Sequence, residues 1–449
     1  MPKKKTALTI EERLQQALVP AEEQPYEVPE NWVWVRLGEV NKYISKSVNP
    51  ISEPDKIFEL YSVPSMVDNY PEIIAGSDIG SSKQSVCKKD VLLCKINPRI
   101  NRVWKVSQFT DNELIASSEW IIIRNNHINE NYLMYCFQSK YFREFMLSNV
   151  SGVGGSLMRA QPKYVQTYPI PLPPLSEQQR IVERIEELFA KLDEAKERLQ
   201  EVADSFAVRK AAILHKAFTG ELIGKKIEQL VPLESLVDLI KIGPFGSALH
   251  ESDYIENGIP LVNPKHIVQQ HIVPQSKISI SEEKAEELSS YRLKANDIVL
   301  GRRGEMGRCA PVSAREENWI CGTGSMIIRL KEEYDARLYS LILGSQATVT
   351  YLENSAVGST LKNLNEKIVR KIPVPQFDIE EQHEIVRLID DLLARERSAQ
   401  QATEQALASI DLMKKSILAR AFRGELGTNK ASEASALELL RQVLAENRS

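Results

Sequence analysis

The sequence predicts an α+β protein with a pseudo-two-fold internal repeat, built from two globular α/β domains and two long helices that pack on each other. Three observations support this prediction. A stretch of the chain that begins at Ser151 recurs 204 positions later, at Ser355. Each copy continues into a long heptad pattern of apolar residues. Each copy also follows a region of short β-branched runs separated by turn residues.

Length and composition limit the class of protein. The chain has 449 residues, of which 43% are hydrophobic and 26% charged, so it is long enough for several domains with buried cores. No apolar run approaches the roughly 18 residues that span a bilayer, and no apolar segment of a signal peptide follows the basic start. The five cysteines form no CxxC pair, which favours a reducing compartment. We therefore expect a cytoplasmic protein with no membrane partner.

The repeat is clearest in its second part. Ile213–Leu222 reads ILHKAFTGEL and Ile417–Leu426 reads ILARAFRGEL. The match extends upstream without a gap to the start of the repeat. Before that point only echoes remain, such as KDVLL at 89–93 against NDIVL at 296–300. Each half thus has a variable front and a shared back, a layout expected of two modules that do the same job on different targets.

The shared back predicts one long helix in each half. A proline-rich segment precedes the first helix, and we expect Ser176 to be its N-cap. Apolar residues then recur in steps of four and three, broken by Arg209 in the first helix and by Glu396 and Thr403 in the second. About 40 residues at ~1.5 Å each give a helix of about 60 Å. One such line of apolar residues, or seam, is typical of a simple helical stalk, whereas two copies of the seam favour two helices packed on each other. The predicted seam contains Ile181, Ile185, Leu188, Leu192, Leu199, Ile385, Ile389, Leu392, Ile410, Met413 and Ile417.

The front of each half reads as short strands and turns followed by helices. Runs such as Trp120–Ile123 are apolar and β-branched, and helices are expected from about 131 to 147 and from about 335 to 353. A tail helix near 434–446 is expected to pack close to a helix at 10–18. The predicted boundaries are an N-terminal lead with a short helix (1–30), a first domain (31–174), a first long helix (175–222), a second domain (230–376), a second long helix (379–426) and a partly helical tail (427–449).

Catalytic motifs are absent from the sequence. The nearest string to a P-loop, Gly220–Lys225, has the wrong spacing and lacks the Ser or Thr. The aromatic motif of amino-methyltransferases is missing, and the six histidines and five cysteines show no metal-ligand spacing. We therefore predict no catalytic residues and no metal site.

Basic residues concentrate in the globular fronts. The net charge of −4 argues weakly against a nucleic-acid partner, but nine acids against five bases fall between Glu177 and Asp204, on the first helix. Two basic stretches, 83–105 and 292–308, surround matching Asp-apolar strands, and two loops rich in glycine and serine, 151–159 and 241–247, resemble phosphate-binding turns. Solvated loops explain the same pattern equally simply. The candidate DNA-binding residues are Lys83, Lys95, Arg99, Asn101, Arg102, Lys105, Arg159, Lys241, Ser247, Arg302, Arg303, Arg308 and Lys362.

The duplicated motifs resemble the specificity (S) subunits of type I restriction–modification systems. The resemblance covers nearly the whole chain. The second copy departs from the first at 376–378, where prolines are missing, and the N-terminal lead is long. The residues that carry the resemblance are Tyr168–Gln178, Ala217–Leu222, Val357–Asn365, Ile372–Pro375, Glu381–Gln382 and Ala421–Leu426.

This resemblance implies a role in the recognition of double-stranded DNA. Each front would be a target-recognition domain for one half of a bipartite, asymmetric site, and the two long helices would pair antiparallel, set the spacing of the half-sites and dock two methyltransferase (M) subunits. S-adenosylmethionine, ATP and Mg²⁺ would be used by the M and restriction (R) subunits, so this chain would need no cofactor and would not be an enzyme by itself. Two alternatives stay open: a helical scaffold that binds proteins without DNA specificity, and a stand-alone nuclease.

Overall fold

A computed structural model describes residues 8–151, 158–245, 248–355 and 363–446. The chain divides into two compact units. Unit 1 comprises Met1–Arg198 and Ala406–Ser449, and unit 2 comprises Leu199–Gln405. The division crosses both long helices, so each unit contains one globular front and a part of each helix.

Among the described residues, unit 1 contains twelve strands and unit 2 contains eleven, together with helices in both. The helices are α1 (Ile10–Ala17), α2 (Leu37–Val40), α3 (Glu130–Gln138), α4 (Lys140–Ser148), α5 (Pro162–Val165), α6 (Leu175–Phe218), α7 (Glu282–Glu287), α8 (Ala336–Leu343), α9 (Gln346–Ser355), α10 (Glu366–Arg370), α11 (Ile379–Ala421) and α12 (Ala436–Ala445). The strands of unit 1 are β1 (Val33–Arg36), β2 (Ser47–Val48), β3 (Ile57–Tyr61), β4 (Glu72–Ala75), β5 (Lys83–Ser85), β6 (Val91–Cys94), β7 (Val103–Lys105), β8 (Glu113–Ala116), β9 (Trp120–Ile123), β10 (Val150–Ser151), β11 (Arg159–Ala160) and β12 (Pro169–Leu172). The strands of unit 2 are β13 (Val231–Pro232), β14 (Val237–Ile242), β15 (Ile259–Val262), β16 (Ile267–Val268), β17 (His271–Ile272), β18 (Ser279–Ile280), β19 (Asp297–Gly301), β20 (Cys309–Pro311), β21 (Ile320–Cys321), β22 (Ser325–Leu330) and β23 (Pro373–Val374).

The sheets of the two units follow one plan. In unit 1, β7-β6-β9 form an antiparallel sheet beside a five-stranded sheet of order β2-β5-β8-β3-β4. Unit 2 has a four-stranded sheet of order β14-β22-β19-β20 beside a smaller sheet of order β18-β15-β21. Each unit has a parallel strand pair, β3–β8 in unit 1 and β15–β21 in unit 2. The antiparallel pair β1–β12 of unit 1 corresponds to the antiparallel pair β13–β23 of unit 2. The predicted α+β class with an internal repeat is confirmed.

Each unit has a buried ion pair at the base of its central sheet. In unit 1 the Nε and Nη2 atoms of Arg124 donate to the two carboxylate oxygens of Asp90, at 2.8 and 2.7 Å. In unit 2 Arg329 donates to Asp297 in the same way, at 2.7 Å for both bonds. The two aspartate side chains are 2% and 1% exposed. This contact explains the echo in the sequence between the two fronts.

A glutamine joins the long helix to the front in each unit. In unit 1 Gln178 accepts from the backbone N–H of Asn129, the N-cap of α3, and donates to the carbonyl of Pro173. In unit 2 Gln382 likewise accepts from the N–H of Asp335, the N-cap of α8. Both glutamine side chains are fully buried. The position of each front on its helix is therefore fixed by side-chain hydrogen bonds to a helix cap.

The long helices pair antiparallel within each unit. In unit 1 Lys414 lies 2.5 Å from Asp193, and Lys196 lies 3.8 Å from Asp411. The seam is not uniformly buried: Ile181, Ile185, Ile385, Ile389 and Ile410 are buried, whereas Leu188, Leu192, Leu199, Leu392 and Ile417 are half-buried.

The breaks in the predicted seam have specific partners. Arg209 donates through Nε to both carboxylate oxygens of Glu396, at 3.2 and 3.0 Å, so one break in each helix forms an ion pair. Thr403, the other break in the second helix, is 7% exposed, and its hydroxyl donates to the carbonyl of Ala399. Thr403 therefore interrupts the apolar pattern at a buried position of the seam. Met413, predicted in the seam, is 50% exposed.

Helix boundaries differ from the sequence prediction at three places. The helix expected near 131–147 is two helices, because Ser139 has an extended backbone and its hydroxyl donates to the carbonyl of Cys136. The helix expected near 335–353 is likewise broken after Leu343. Helix α6 begins at Leu175, so Ser176 lies in its first turn and is not the N-cap.

The expected contact between the two chain ends is confirmed. Leu14 and Ala17 of α1 share a core with Leu440 and Val443 of α12. Arg441 also lies 3.5 Å from Glu11. Unit 1 is therefore closed by a segment that follows the second long helix.

Asp90→Asn should destabilise unit 1, because loss of one partner leaves Arg124 buried beside a neutral group. We expect a loss of about 3–5 kcal/mol in the free energy of unfolding. Urea unfolding with hydrogen exchange would localise the loss to β6 and β9. The control is Glu144→Gln, whose ion pair with Lys140 is largely exposed and should change the free energy by less than about 1 kcal/mol. Equal effects of the two variants would contradict the structural role of the buried pair.

Ile410→Glu should separate the paired helices in unit 1, because it buries an unpaired charge. Ile410 is 4% exposed, and we expect a loss of at least about 2 kcal/mol together with new proteolytic cuts in α6 and α11. Met413→Glu, one turn further and 50% exposed, is the matched control and should leave the cleavage pattern unchanged. Similar cleavage of both variants would show that the seam does not hold the helices together.

Candidate nucleic-acid interface

Two candidate loops of unit 1 are joined by backbone hydrogen bonds. The N–H of Ala160 donates to the carbonyl of Lys95 at 2.8 Å, and Ile96 and Arg159 form an antiparallel bridge. On the other side, the N–H of Lys95 donates to the carbonyl of Glu119 at 3.0 Å. The basic loop after β6 thus lies between two other segments and is tied to both.

Unit 2 repeats this arrangement bond for bond. The N–H of Leu364 donates to the carbonyl of Arg302 at 3.0 Å, and Arg303 and Asn363 form the antiparallel bridge. The N–H of Arg302 donates to the carbonyl of Gly324 at 2.9 Å. Arg302 therefore corresponds to Lys95, and Arg303 corresponds to Ile96. We name the pairs Ile96/Arg159 and Arg303/Asn363 the bridge pairs.

A cleft opens beside the bridge pair of unit 1. Its volume is about 540 Å³. Lys83 of β5 and Arg102, the residue before β7, lie on its wall with Asn97 and Glu119. Burial lowers the pKa of Lys83 below its usual value. The Oδ1 atom of Asn97 is buried without a hydrogen-bond partner among the described residues. The full lining is Leu60, Ser62, Val63, Pro64, Lys83, Ile96, Asn97, Arg102, Ser117 and Glu119.

Other predicted residues of unit 1 have different surroundings. Lys95 donates through Nζ to the carbonyl of Ser118 at 2.6 Å, and Arg99 is exposed. Asn101 donates to the carbonyl of Gln138 at the end of α3.

Lys105 also bonds to α3. Its Nζ atom donates to Asn131 at 2.7 Å. Asn101 and Lys105 therefore tie the strand region to α3 and do not join the cluster of cations at the cleft.

Arg302 is placed differently from the prediction that it contacts DNA. It is only 7% exposed, and its Nε atom donates to the carbonyl of Leu364 at 3.1 Å. Burial, together with the neighbouring charge of Arg303, lowers the pKa of Arg302. Its guanidinium supports the loop from inside, because the alternation of side chains along an extended segment turns one residue inward when the next is outward. Arg303 is the exposed residue of the two.

The neighbouring loops of unit 2 approach each other so closely that only glycine fits. A Cβ on Gly243 would lie 2.1 Å from the carbonyl oxygen of Gly322, and one on Gly322 would lie 2.2 Å from the side chain of Asn263. Pro264 accepts from Arg308 through its carbonyl, at 3.3 Å. Arg308 also pairs with Glu305, so two of its nitrogens are already engaged. The loops form one compact surface from four segments of the chain.

Two accessible residues on this surface are not among the candidate DNA-binding residues, although Phe245 lies in the candidate loop at 241–247. Phe245 is 64% exposed, and Lys265 is exposed directly after Pro264. No motif or periodicity in the sequence marks Lys265. Lys241 lies with its Nζ atom 4.4 Å from the ring centre of Tyr291. Two predicted DNA-binding residues, Ser247 and Lys362, lie outside the described residues.

Within residues 8–151, 158–245, 248–355 and 363–446, no three His, Cys, Asp or Glu side chains group as metal ligands would. In the same part of the chain, no helix is both long and apolar enough to span a bilayer.

Comparisons with known proteins give the family. The family model described as Type I restriction modification DNA specificity domain matches residues 29–204 and again residues 234–407. The specificity subunit of the type I restriction enzyme EcoBI from Escherichia coli is 30% identical over 307 residues, which are 62% of this chain and 64% of that subunit. The MjaVIII specificity subunit from Methanocaldococcus jannaschii is 23% identical over 405 residues, 85% of this chain and 92% of that subunit.

Two solved structures share the fold. The HsdS subunit from Thermoanaerobacter tengcongensis has a TM-score of 0.67 and 22% identity, over 90% of this chain and 99% of that chain. A chain from a structure on complex assembly of the type I R-M system has a TM-score of 0.66 and 22% identity, over 89% and 100%. Because the family model matches most of the chain in two copies, the chain belongs to the family of type I restriction-modification DNA specificity domains.

Proposed function

We propose that this chain is the DNA-recognition subunit of a type I restriction–modification complex and that each unit reads one half of a bipartite, asymmetric site in double-stranded DNA. The bridged loops carry the proposal. Both units build them with the same backbone hydrogen bonds, yet Ile96 and Arg159 in unit 1 correspond to Arg303 and Asn363 in unit 2. A constant backbone with different side chains suits two unlike half-sites.

The accessible cations around these loops supply the electrostatic part of DNA binding in this proposal. Lysine and arginine neutralise phosphates and so make affinity depend on salt. The acids that give the chain its net charge of −4 pair largely with bases on the long helices, as in Glu187 with Arg184 and Lys191. The proposed DNA contacts are Lys83, Lys95, Arg99, Arg102, Arg159, Lys241, Lys265, Arg303 and Arg308.

The long helices, in this proposal, set the spacing between half-sites and dock two M subunits. Helix α6 has 44 residues, which corresponds to about 66 Å at ~1.5 Å per residue, or roughly two turns of DNA at ~34 Å each. Several apolar side chains on the helices are exposed, as an interface for a partner requires. These are Val202, Val208, Leu412 and Met413, with exposed fractions of 41%, 70%, 64% and 50%.

The chemistry belongs to the partners in this proposal. The M subunits bind S-adenosylmethionine and methylate adenine at N6, and R subunits use ATP and Mg²⁺ for translocation and cleavage. The chain itself contributes recognition and positioning, and acts in the cytoplasm.

The first test is a map of N6-methyladenine. Co-expression with the M subunit of its own system, in a host without DNA methylation, should produce one gapped motif with two unlike halves. Replacement of residues 31–163 by the equivalent segment of a related subunit should change one half only. A soluble complex without methylation would favour the helical scaffold, and cleavage of DNA by the purified chain with Mg²⁺ alone would favour the nuclease.

Arg99→Ala should weaken binding of every DNA sequence alike, because an exposed arginine on a loop is suited to a phosphate contact. In the complex with M subunits, the slope of log affinity against log salt should fall by about 1. Arg395→Ala removes the same charge from α11, where Arg395 pairs with Asp391, and should leave the slope unchanged. An equal effect of the two variants would mean that Arg99 acts through net charge and not through contact.

A further inference from the structure

The two bridge pairs present one arginine each, but from opposite strands. In unit 1 the arginine is Arg159 and its bridge partner is Ile96. In unit 2 the arginine is Arg303 and its partner is Asn363. Residues directly opposite in an antiparallel pair have Cβ atoms about 5 Å apart on the same face. Arg159 and Arg303 therefore start from nearly the same position relative to the backbone of their units, although they lie on opposite members of the bridge pair.

The surroundings of Arg159 favour a base over a phosphate. Its Nε and Nη2 atoms each lie 3.3 Å from an oxygen of Glu119. This two-point contact orients the plane of the guanidinium and leaves the Nη1 edge to donate. The carboxylate would repel a phosphate placed next to it, whereas the edge of a base carries no net charge. A guanine edge, with its N7 and O6 acceptors, is the usual partner of an arginine fork.

Arg303 reaches the same place without a carboxylate. The residue equivalent to Glu119 is Gly324, whose own Cβ would lie 2.9 Å from Pro264. Arg303 is exposed, and its backbone is fixed by the bridge to Asn363 and by the hydrogen bonds of Arg302 on either side. The hydrogen bonds of the buried Arg302 thus fix the backbone of Arg303, and the guanidinium of Arg303 is available to bind a ligand.

We propose that Arg159 and Arg303 are the equivalent base-reading arginines of the two units, each recognising a guanine in its own half-site, with Glu119 as a positioning residue for Arg159. This inference rests on the proposed function and deepens it, since it separates base recognition from phosphate contact. The other cations at the loops then bind the backbone of the DNA.

The experiment is the methylation map of the complex with M subunits, repeated for single variants. Arg159→Ala should relax one G·C position in one half-site by about 5- to 150-fold and leave the other half intact. Arg303→Ala should relax one G·C position in the other half only. Glu119→Ala should relax the same position as Arg159→Ala, and Glu119→Gln should restore part of the preference, an effect that a purely structural role would not produce. Arg36→Ala, which breaks an Arg–Glu pair away from these loops, should leave the motif unchanged.

The outcomes separate this inference from the proposed function. If the wild-type map shows no gapped motif, the proposed function fails. A gapped motif in which either half lacks a G·C pair overturns the inference alone. So does an unchanged motif with uniformly weaker methylation in Arg159→Ala or Arg303→Ala, which would make that arginine a phosphate contact.

A transplant tests the equivalence of the two sites. Arg303→Ile combined with Asn363→Arg moves the arginine of unit 2 to the strand that carries it in unit 1. Relative to Arg303→Ala, the double variant should regain guanine preference at the same position of the half-site. A folded double variant with preference at another position, or with none, would overturn the equivalence. Circular dichroism establishes whether the double variant folds. If it does not fold, Asn363→Arg alone should add a second guanine preference adjacent to the first. A folded Asn363→Arg variant without this second preference would count equally against the equivalence of the two sites.

Discussion

The buried ion pair between Asp90 and Arg124, and its counterpart between Asp297 and Arg329, is the contact on which each unit depends. Two charges are removed from water there, at a cost that only good geometry offsets. The geometry is supplied locally: the second oxygen of Asp90 also accepts from the N–H of Cys87, at 2.8 Å, and the residue before the aspartate has a positive φ in both units. The pair joins the central strand of the sheet to its neighbour, and the same central strand runs on into the basic loop.

The two fronts differ in sequence, yet they share the ion pair at the base of the sheet and the backbone hydrogen bonds of the loop that follows it. Lys95 follows Asp90 by five residues, across β6, and Arg302 follows Asp297 by the same interval, across β19. At that point the same backbone hydrogen bonds tie the loop to its neighbours in both units. Backbone hydrogen bonds place no demand on side chains, so the side chains at Ile96 and Arg303 are free to differ between the two units.

The sequence predicted the features that are local or repeated. Periodicity indicated both long helices, and β-branched runs indicated strands such as β6 and β19. It could not predict contacts between distant segments: the bridge of Arg303 with Asn363, the burial of Arg302 and the breaks after Gln138 and Leu343 all depend on tertiary packing. The sequence shows that Arg302 and Arg303 are both basic, but only the backbone register decides which of the two side chains faces outward. The ion pair between Arg209 and Glu396, two breaks in the predicted seam, likewise depends on how the two helices pack and could not be predicted from either helix alone.

The segment after each long helix completes the start of the other one. In unit 2 Lys225, just beyond α6, pairs with Glu381 in the first turn of α11. In unit 1 Asn429, just beyond α11, donates to Glu177 in the first turn of α6, which also accepts from Trp32 and Thr428. The two glutamates hold the same position in the repeat, and so do Lys225 and Asn429. Helices α1 and α12 also pack together in unit 1, where Leu14 and Ala17 share a core with Leu440 and Val443. The segment that contains α12 is thus part of unit 1, although it follows the second long helix in sequence.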